Sequence, residues 1–272
     1  MPAAPWIRAA AVVTVALPVA LAVPAPARAA AQAWVSTVLS TSVTKTVTAT
    51  CTGDQLALGA GGYVAGGRGG VALTSVVPSD DLRSVTVTAR ARLGHLDPWS
   101  LNAQAVCEGG AAAVLVRSAP LSATATCPDR HWLTGAGFQL ARDDAAPALT
   151  GLVPAADLRS VTARALGSGP PAAYAICTAH QWGQIINPHL LTSARTVQQA
   201  TVSANVPTPV YGVGGEIVGA LPGDLIDGLK VSPGGASVHA QRPTAGTKFA
   251  ALGPTGPTVV VYGVDAYFYG VY

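Results

Sequence analysis

The sequence predicts an all-β protein made of three pseudo-symmetric antiparallel repeats in a β-prism-like arrangement. One observation is the composition: among 272 residues there are 30 Gly and 21 Pro, and only 11% of the residues are charged. Frequent Gly and Pro favour short strands joined by turns. The other observation is a motif that occurs three times at nearly constant spacing. The low charge excludes coiled coils, long solvated helices and charge-driven disorder.

Residues 1–29 have the pattern of a secretory signal peptide. Arg8 precedes an apolar run over 9–23, and small residues then continue to Ala31. A positive start, an apolar middle and a small-residue end are typical of such signals, and we expect cleavage between Ala29 and Ala31. No apolar stretch reaches the roughly 20 residues of a membrane-spanning helix. We therefore expect a secreted protein without a membrane span once the signal is removed.

Charge excludes some partners. Removal of the predicted signal leaves 14 Lys and Arg against 13 Asp and Glu, and no basic cluster stands out. We therefore expect no nucleic-acid partner. The abundance of Ala, Gly, Val and Pro and the preference for Arg over Lys suggest a GC-rich genome, which together with export indicates a bacterial extracellular protein.

The repeated motif begins at residues 51, 127 and 202, at intervals of 76 and 75 residues. Its first part, 51–61, returns as 127–137 and in a degenerate form as 202–214. A proline turn and strand follow, in which 236–240 of the third copy resembles 159–163. The predicted units are 34–107, 108–177 and a degenerate 178–272, and we expect them to form one domain.

Each copy contains four to five short segments typical of strands. Alternation is clear over 84–92, where Thr and Val face opposite sides. We expect each copy to supply one sheet, so that three sheets enclose one core. The alternative fold is a tandem array of small β-sandwich modules.

The four cysteines predict two disulfides. Three pairings are possible for four cysteines in an exported protein. The third copy has Val202 and Asp265 at both equivalent positions, and two cysteines that are absent together are most simply partners. We therefore expect Cys51 to pair with Cys107 and Cys127 with Cys177, rather than reactive or metal-binding thiols.

The motif Cys-Pro-x-x-x-x-(apolar)-x-Gly-x-Gly, followed by a proline turn and Ala-Tyr-Ala-Ile-Cys, resembles repeats in secreted actinobacterial proteins of unassigned role. The resemblance covers about 49–107 and 125–177 and weakly 200–265. The stretch from Cys to Gly-x-Gly is also similar to vitelline membrane outer layer protein I, and this likeness implies a β-prism. The third copy departs from both patterns because it lacks cysteines.

The Gly-x-Gly sequences indicate structure rather than nucleotide binding. They occur in all three copies and lead into strand and turn rather than helix, so we expect bulges or close backbone approaches. Two Asp-Leu-Arg sequences are also ambiguous. They could bind sugar hydroxyls, or they could be turns in which Asp accepts backbone N–H bonds. The candidate binding residues there are Asp81, Arg83, Asp157 and Arg159.

Aromatic residues provide the other candidates. Trp132, Tyr267 and Tyr269 could stack on sugar rings, although the tyrosines could equally close the core and each Trp could be a local core plug. The five histidines show no metal-binding spacing, no nucleophile elbow is present, and Asp143 and Asp144 suit a solvated loop. We therefore expect no catalytic residue, no metal and no cofactor.

These observations favour a non-enzymatic secreted protein that binds a surface component or a carbohydrate. The alternatives are a structural envelope or extracellular matrix protein without a discrete ligand, and an unrecognised secreted hydrolase. A cleft with clustered polar groups would favour the hydrolase, and retention on a glycan would favour the binding protein.

Overall fold

A computed structural model describes residues 30–141, 148–167, 169–179, 184–195, 199–203, 210–232, 235–241 and 258–270, with backbone alone for 184–187, 195, 199–203 and 267–270. The predicted signal peptide and the pair Asp143 and Asp144 lie outside these residues. The strands of the described residues are β1 (Ala31–Ser36), β2 (Thr44–Thr50), β3 (Leu56–Ala65), β4 (Val71–Pro78), β5 (Ser84–Ala91), β6 (Ser100–Glu108), β7 (Ala113–Arg117), β8 (Thr124–Thr126), β9 (His131–Gln139), β10 (Ala148–Pro154), β11 (Ser160–Leu166), β12 (Ala172–Ala179), β13 (Gln184–Arg195), β14 (Gln199–Ser203), β15 (Val210–Val218), β16 (Leu225–Ser232), β17 (Gly235–Gln241) and β18 (Thr258–Gly270).

These strands form three antiparallel sheets, which confirms the predicted all-β class. Sheet I has the order β1-β6-β3-β16-β17-β14, sheet II the order β2-β5-β4-β9-β12-β7, and sheet III the order β13-β18-β15-β10-β11-β8. No helix within the described ranges is long and apolar enough to cross a membrane.

The expectation that each copy supplies one sheet is wrong. The first copy places β3 and β6 in sheet I but β2, β4 and β5 in sheet II, and the other two copies divide in the same way. The chain crosses a corner after β3, so the β4–β5 hairpin adds to a neighbouring sheet. Each sheet therefore contains strands of two copies, and the copies cannot be separate sandwich modules. One cluster of buried side chains contains residues of all three copies.

The alignment of 236–240 with 159–163 is also wrong, by two residues. In sheet III, Leu152 pairs with Ala163, and in sheet I the equivalent Leu229 pairs with Val238. Only residues 233–234 separate β16 from β17, whereas residues 155–159 separate β10 from β11. Because fewer residues connect these two strands, the register is shifted, and His239 is the counterpart of Arg164 and, in the first copy, of Thr88.

The Gly-x-Gly sequences bring the central strands together, as predicted. A Cβ on the first glycine of each motif would overlap a backbone carbonyl oxygen of another copy: Tyr211 for Gly59, Leu58 for Gly135 and Thr134 for Gly212. The three contacts follow one another cyclically from sheet to sheet. Only a residue without a side chain permits such an approach, so these glycines hold the three sheets around one axis.

The structure joins Cys51 to Cys107 and Cys127 to Cys177, which is the pairing that the repeats predict, with Cα–Cα distances of 5.7 and 5.6 Å. Each bond connects two sheets, because the first cysteine follows β2 or β8 and the second lies in β6 or β12. In the third copy, Asp265 takes the place of the second cysteine. It is buried, and its carboxylate accepts a hydrogen bond from the backbone N–H of His189 at 3.2 Å. Two disulfides indicate an extracellular protein.

Candidate functional site

Each sheet has a seam where strands of two copies meet, and each seam is paired over only two residues. In sheet I, Tyr63 of β3 faces Gly228 of β16, and Gly62 faces Leu229. The seams of sheets II and III have two paired positions as well. Strands that pair so briefly diverge on either side of the contact, and this leaves room for a cleft on the outer face.

The sheet I seam opens into a surface cleft of about 340 Å³. Its polar lining residues come from β3 and the loop after it and from β16 and β17; they are Tyr63, Arg68, Asp227, Lys230, Ser237, His239 and Gln241. The volume lies at the lower end of the range of small-molecule sites, which is roughly 300–1,000 Å³. We refer to these residues and the space between them as the sheet I cleft.

Gly228 forms the floor of the sheet I cleft. It is paired with Tyr63 on one side and with His239 on the other. A Cβ at this position would lie 3.1 Å from the Cβ of His239 and 3.2 Å from the Cβ of Tyr63. The missing side chain thus keeps the space between the Tyr63 and His239 side chains open.

A buried carboxylate lies at one wall of the cleft. Asp227 is 2% exposed and occupies the bulge between Ile226 and Gly228. Its Oδ1 lies 2.5 Å from Nδ1 of His239, and its Oδ2 accepts a hydrogen bond from Nε2 of Gln241 at 2.6 Å. Both carboxylate oxygens are therefore occupied, while the His239 side chain is 38% exposed at the cleft.

The electrostatics of this cluster favour a charged imidazole. The hydrogen bond from Asp227 raises the pKa of His239, because a nearby carboxylate stabilises the protonated ring. Burial raises the pKa of Asp227, and the bonds from His239 and Gln241 oppose this effect. A carboxylate that is this deeply buried is costly unless it is paired, and such pairs are frequent at functional sites.

On the other side the cleft is lined by Tyr63, which packs against a second aromatic residue outside the lining. Trp34 on β1 meets Tyr63 edge to face, with ring centroids 5.4 Å apart. The Nζ of Lys230 lies 5.2 Å from the centroid of Trp34 and 5.4 Å from that of Tyr63. Trp34 is 43% exposed, so part of the indole is free to contact a ligand. This arrangement combines apolar ring surface with a cation and several hydrogen-bonding groups.

The equivalent position of sheet II forms a second cleft, of about 350 Å³, with different side chains. Thr74, Ser75, Thr88 and Arg90 take the places of Asp227, Gly228, His239 and Gln241. Gln139 replaces Tyr63 and accepts a hydrogen bond from the hydroxyl of Tyr174 at 3.0 Å. The open seam is thus common to both sheets, whereas the aromatic pair and the buried Asp–His pair belong to sheet I.

In sheet III an ion pair spans the equivalent position. Arg164, the counterpart of His239, binds Glu216, the counterpart of Tyr63. The Cβ and Cδ of Arg164 would each lie 3.4 Å from a Cβ placed on Gly151, so the arginine runs across this glycine. In sheet III, Arg164 and Glu216 form an ion pair with each other across the position where sheet I has an open cleft.

The structure supports the turn interpretation of the Asp-Leu-Arg sequences. Asp81 accepts a hydrogen bond from the backbone N–H of Arg83 at 3.0 Å, and Asp157 accepts one from that of Arg159 at 3.0 Å. The hydroxyl of Ser79 donates to Asp81 at 2.6 Å, and this bond together with the one from Arg83 lowers the pKa of Asp81. The side chain of Arg83 donates to the carbonyl of Gly53.

The second turn carries Trp132. Arg159 donates to the carbonyl of His131 at 2.7 Å, and its guanidinium carbon lies 5.5 Å from the centroid of the Trp132 ring. Arg159 therefore packs against the indole of Trp132, one of the candidate sugar-binding residues. Tyr267 and Tyr269 lie in β18, paired with Asn187 and Ile185, but their side chains lie outside the described part of the chain.

Trp99 is a core plug, as predicted. Its side chain is fully buried and donates to the carbonyl of Ser42 at 3.0 Å. Trp182 lies outside the described ranges. Among the residues that the structure describes, no group of three His, Cys, Asp or Glu side chains could hold a metal ion.

Sequence reasoning missed the sheet I cleft. The signal was present in the repeats, because the bulge residue is Thr in the first two copies, Thr74 and Thr150, and Asp in the third. The alignment that was wrong by two residues hid a second difference, because it did not show that His239 of the third copy corresponds to Thr88 and Arg164 in the other copies. Tyr63 and Trp34 are far in the sequence from the third-copy residues of the cleft, so no sequence spacing could show that they lie near each other.

No protein-family model matches the sequence, and neither does any curated protein. The resemblance to secreted actinobacterial repeats and to vitelline membrane outer layer protein I stays a prediction.

Proposed function

We propose that this protein is exported by its N-terminal signal and binds a saccharide in the sheet I cleft. The observation that carries the proposal is the exposed indole of Trp34, packed against the half-buried ring of Tyr63 that lines a polar cleft. Sugars present apolar C–H faces and hydroxyl edges, and aromatic rings next to hydrogen-bonding groups are complementary to both.

Retention on polysaccharides tests this proposal. The secreted protein is run through affinity gels that contain soluble polysaccharides, and retarded bands identify a ligand. Trp34→Ala should remove most of the retardation, because it deletes the exposed ring. Trp132→Ala is the matched control, since that indole is less exposed than Trp34 and does not line the sheet I cleft, and it should migrate like the wild type. Unretarded migration of the wild type in every gel would refute the proposal.

A second candidate is hydrolysis of the bound saccharide. The Asp227–His239 pair favours it, because a buried carboxylate on Nδ1 can orient an imidazole for proton transfer to or from a substrate. Ser237, two residues before His239 on β17, also lines the cleft. Release of reducing ends from a retained polysaccharide would support this candidate if His239→Gln abolished it, and the absence of product after prolonged incubation would exclude it.

A further inference from the structure

The charge of the sheet I cleft specifies its ligand more narrowly. Lys230 and Arg68 both line it, and within the described residues neither forms an ion pair with a carboxylate. Arg68 is exposed, and its backbone has a φ of 41°, in the loop between β3 and β4. The cleft thus holds two cations without an anionic partner.

The single carboxylate of the cleft does not cancel these cations. Asp227 is 2% exposed, and its two oxygens are bound by His239 and Gln241. The Nδ1 of His239 lies 2.5 Å from this carboxylate, which raises the pKa of the ring, so that a protonated imidazole and the carboxylate offset each other's charge. The buried pair is therefore close to neutral, and the charge that faces a ligand is that of Lys230 and Arg68.

The position of Lys230 fits an acidic group on a sugar ring. Its Nζ lies within 5.4 Å of the centroids of both Trp34 and Tyr63. A sugar that packs against the exposed indole would place a ring substituent next to this ammonium. Charge-assisted hydrogen bonds are about twice as strong as neutral ones, so an anionic substituent gains most from this contact.

Resting on the proposed function, we infer that the ligand of the sheet I cleft is an acidic saccharide, whose carboxylate or sulfate is bound by Lys230 and Arg68. General attraction to polyanions does not account for such a preference, because the formal net charge of the whole chain is only +3. The preference depends on these two cations and on the masking of Asp227.

The test compares acidic and neutral polysaccharides with the full secreted protein. Dissociation constants are measured by isothermal titration calorimetry for polygalacturonate, dextran sulfate and neutral dextran at constant ionic strength. We expect one of the two acidic polymers to bind at least tenfold more tightly than dextran, and the better one identifies the anionic group. Lys230→Gln and Arg68→Gln should each weaken that binding roughly tenfold, the value of one charge-assisted hydrogen bond.

Arg90→Gln is the matched control. It removes the same charge from the equivalent cleft of sheet II, and binding should remain within twofold of the wild type. An equal loss for Arg90→Gln and Lys230→Gln would overturn the inference, since it would indicate unspecific attraction. Equal or tighter binding of dextran would overturn it too, yet leave saccharide binding intact. If the protein bound none of these three polymers and no other polysaccharide, the proposed function itself would be refuted.

Discussion

The close approach of the central strands predicts a severe effect for Gly135→Ala. The new Cβ would overlap the carbonyl oxygen of Leu58 and would lie 3.0 Å from both the Cα of Gly59 and the Cδ1 of Ile176. Two of these three neighbours are backbone atoms of a central strand, which cannot change rotamer to make room. The overlap must therefore separate two sheets at the axis.

The expected loss follows from the rigidity of these neighbours. Overpacking a core costs about 1–3 kcal/mol when side chains can adjust. Because backbone must move here, we expect a loss of at least about 3 kcal/mol in the free energy of unfolding. At roughly 2–4 °C per kcal/mol for domains of 150–250 residues, the melting temperature should fall by about 6–12 °C.

Gly151→Ala provides the control. A Cβ at this position would lie 3.4 Å from its nearest neighbours, the Cβ and Cδ of Arg164, which is ordinary van der Waals contact. The alanine should be neutral or should stabilise the fold by about 0.4–1 kcal/mol, because it restricts the unfolded chain. Calorimetric melting of both variants checks the reasoning. A Gly135→Ala protein that melts within 2 °C of the wild type would show that the sheets do not meet as described.

Three further predictions concern the cross-links, the titration and the turn. Peptide mapping without reduction should recover Cys51–Cys107 and Cys127–Cys177, and a Cys107–Cys127 peptide would contradict this pairing. Replacing either pair by Ser should lower the free energy of unfolding in denaturant by about 4 kcal/mol, because the two disulfides close loops of 56 and 50 residues. Asp227 raises the pKa of His239, so the contact should stabilise the fold fully below about pH 6.5, and this effect should be lost as the pH rises through the folded-state pKa. When melting temperatures are measured from pH 5 to 9, His239→Gln should remove this pH dependence. Arg159→Gln should lower the free energy of unfolding by about 1–2 kcal/mol through loss of its bond to the His131 carbonyl, with saccharide retention unchanged.

Repetition made much of the fold predictable. Because the third copy lacks both cysteines, the disulfide pairing of the four that are present could be predicted. The recurrence of Gly-x-Gly in all three copies likewise predicted close backbone contacts. Both deductions needed only a comparison of the chain with itself. The division of each copy between two sheets could not be deduced in this way, since the alternation of a strand such as 84–91 is the same whichever sheet it joins.

The cleft was beyond reach of the sequence for a related reason. Tyr63 and Gly228 are distant in the chain, and they become neighbours only because the β16–β17 hairpin adds to the sheet that contains β3. The aromatic edge comes from β1, which pairs with the closing strand of the first copy. A site assembled from three separate segments has no characteristic spacing, so sequence reasoning turned to local clusters such as Asp81 with Arg83.

The pseudo-symmetry itself argues that the sheet I cleft is the functional one. Where the third copy has Asp227 and His239, the first has Thr74 and Thr88, and these smaller polar residues suffice to build the same seam. In the third sheet, Arg164 and Glu216 neutralise each other. A buried carboxylate is therefore not required at this position, and the other two sheets avoid the cost of desolvating one there. The copy that bears this cost also contributes Lys230, where the second copy has Val153, so that these departures from symmetry lie around one opening. Gly228→Val should consequently impair ligand binding much more than Ser75→Val at the equivalent position of sheet II.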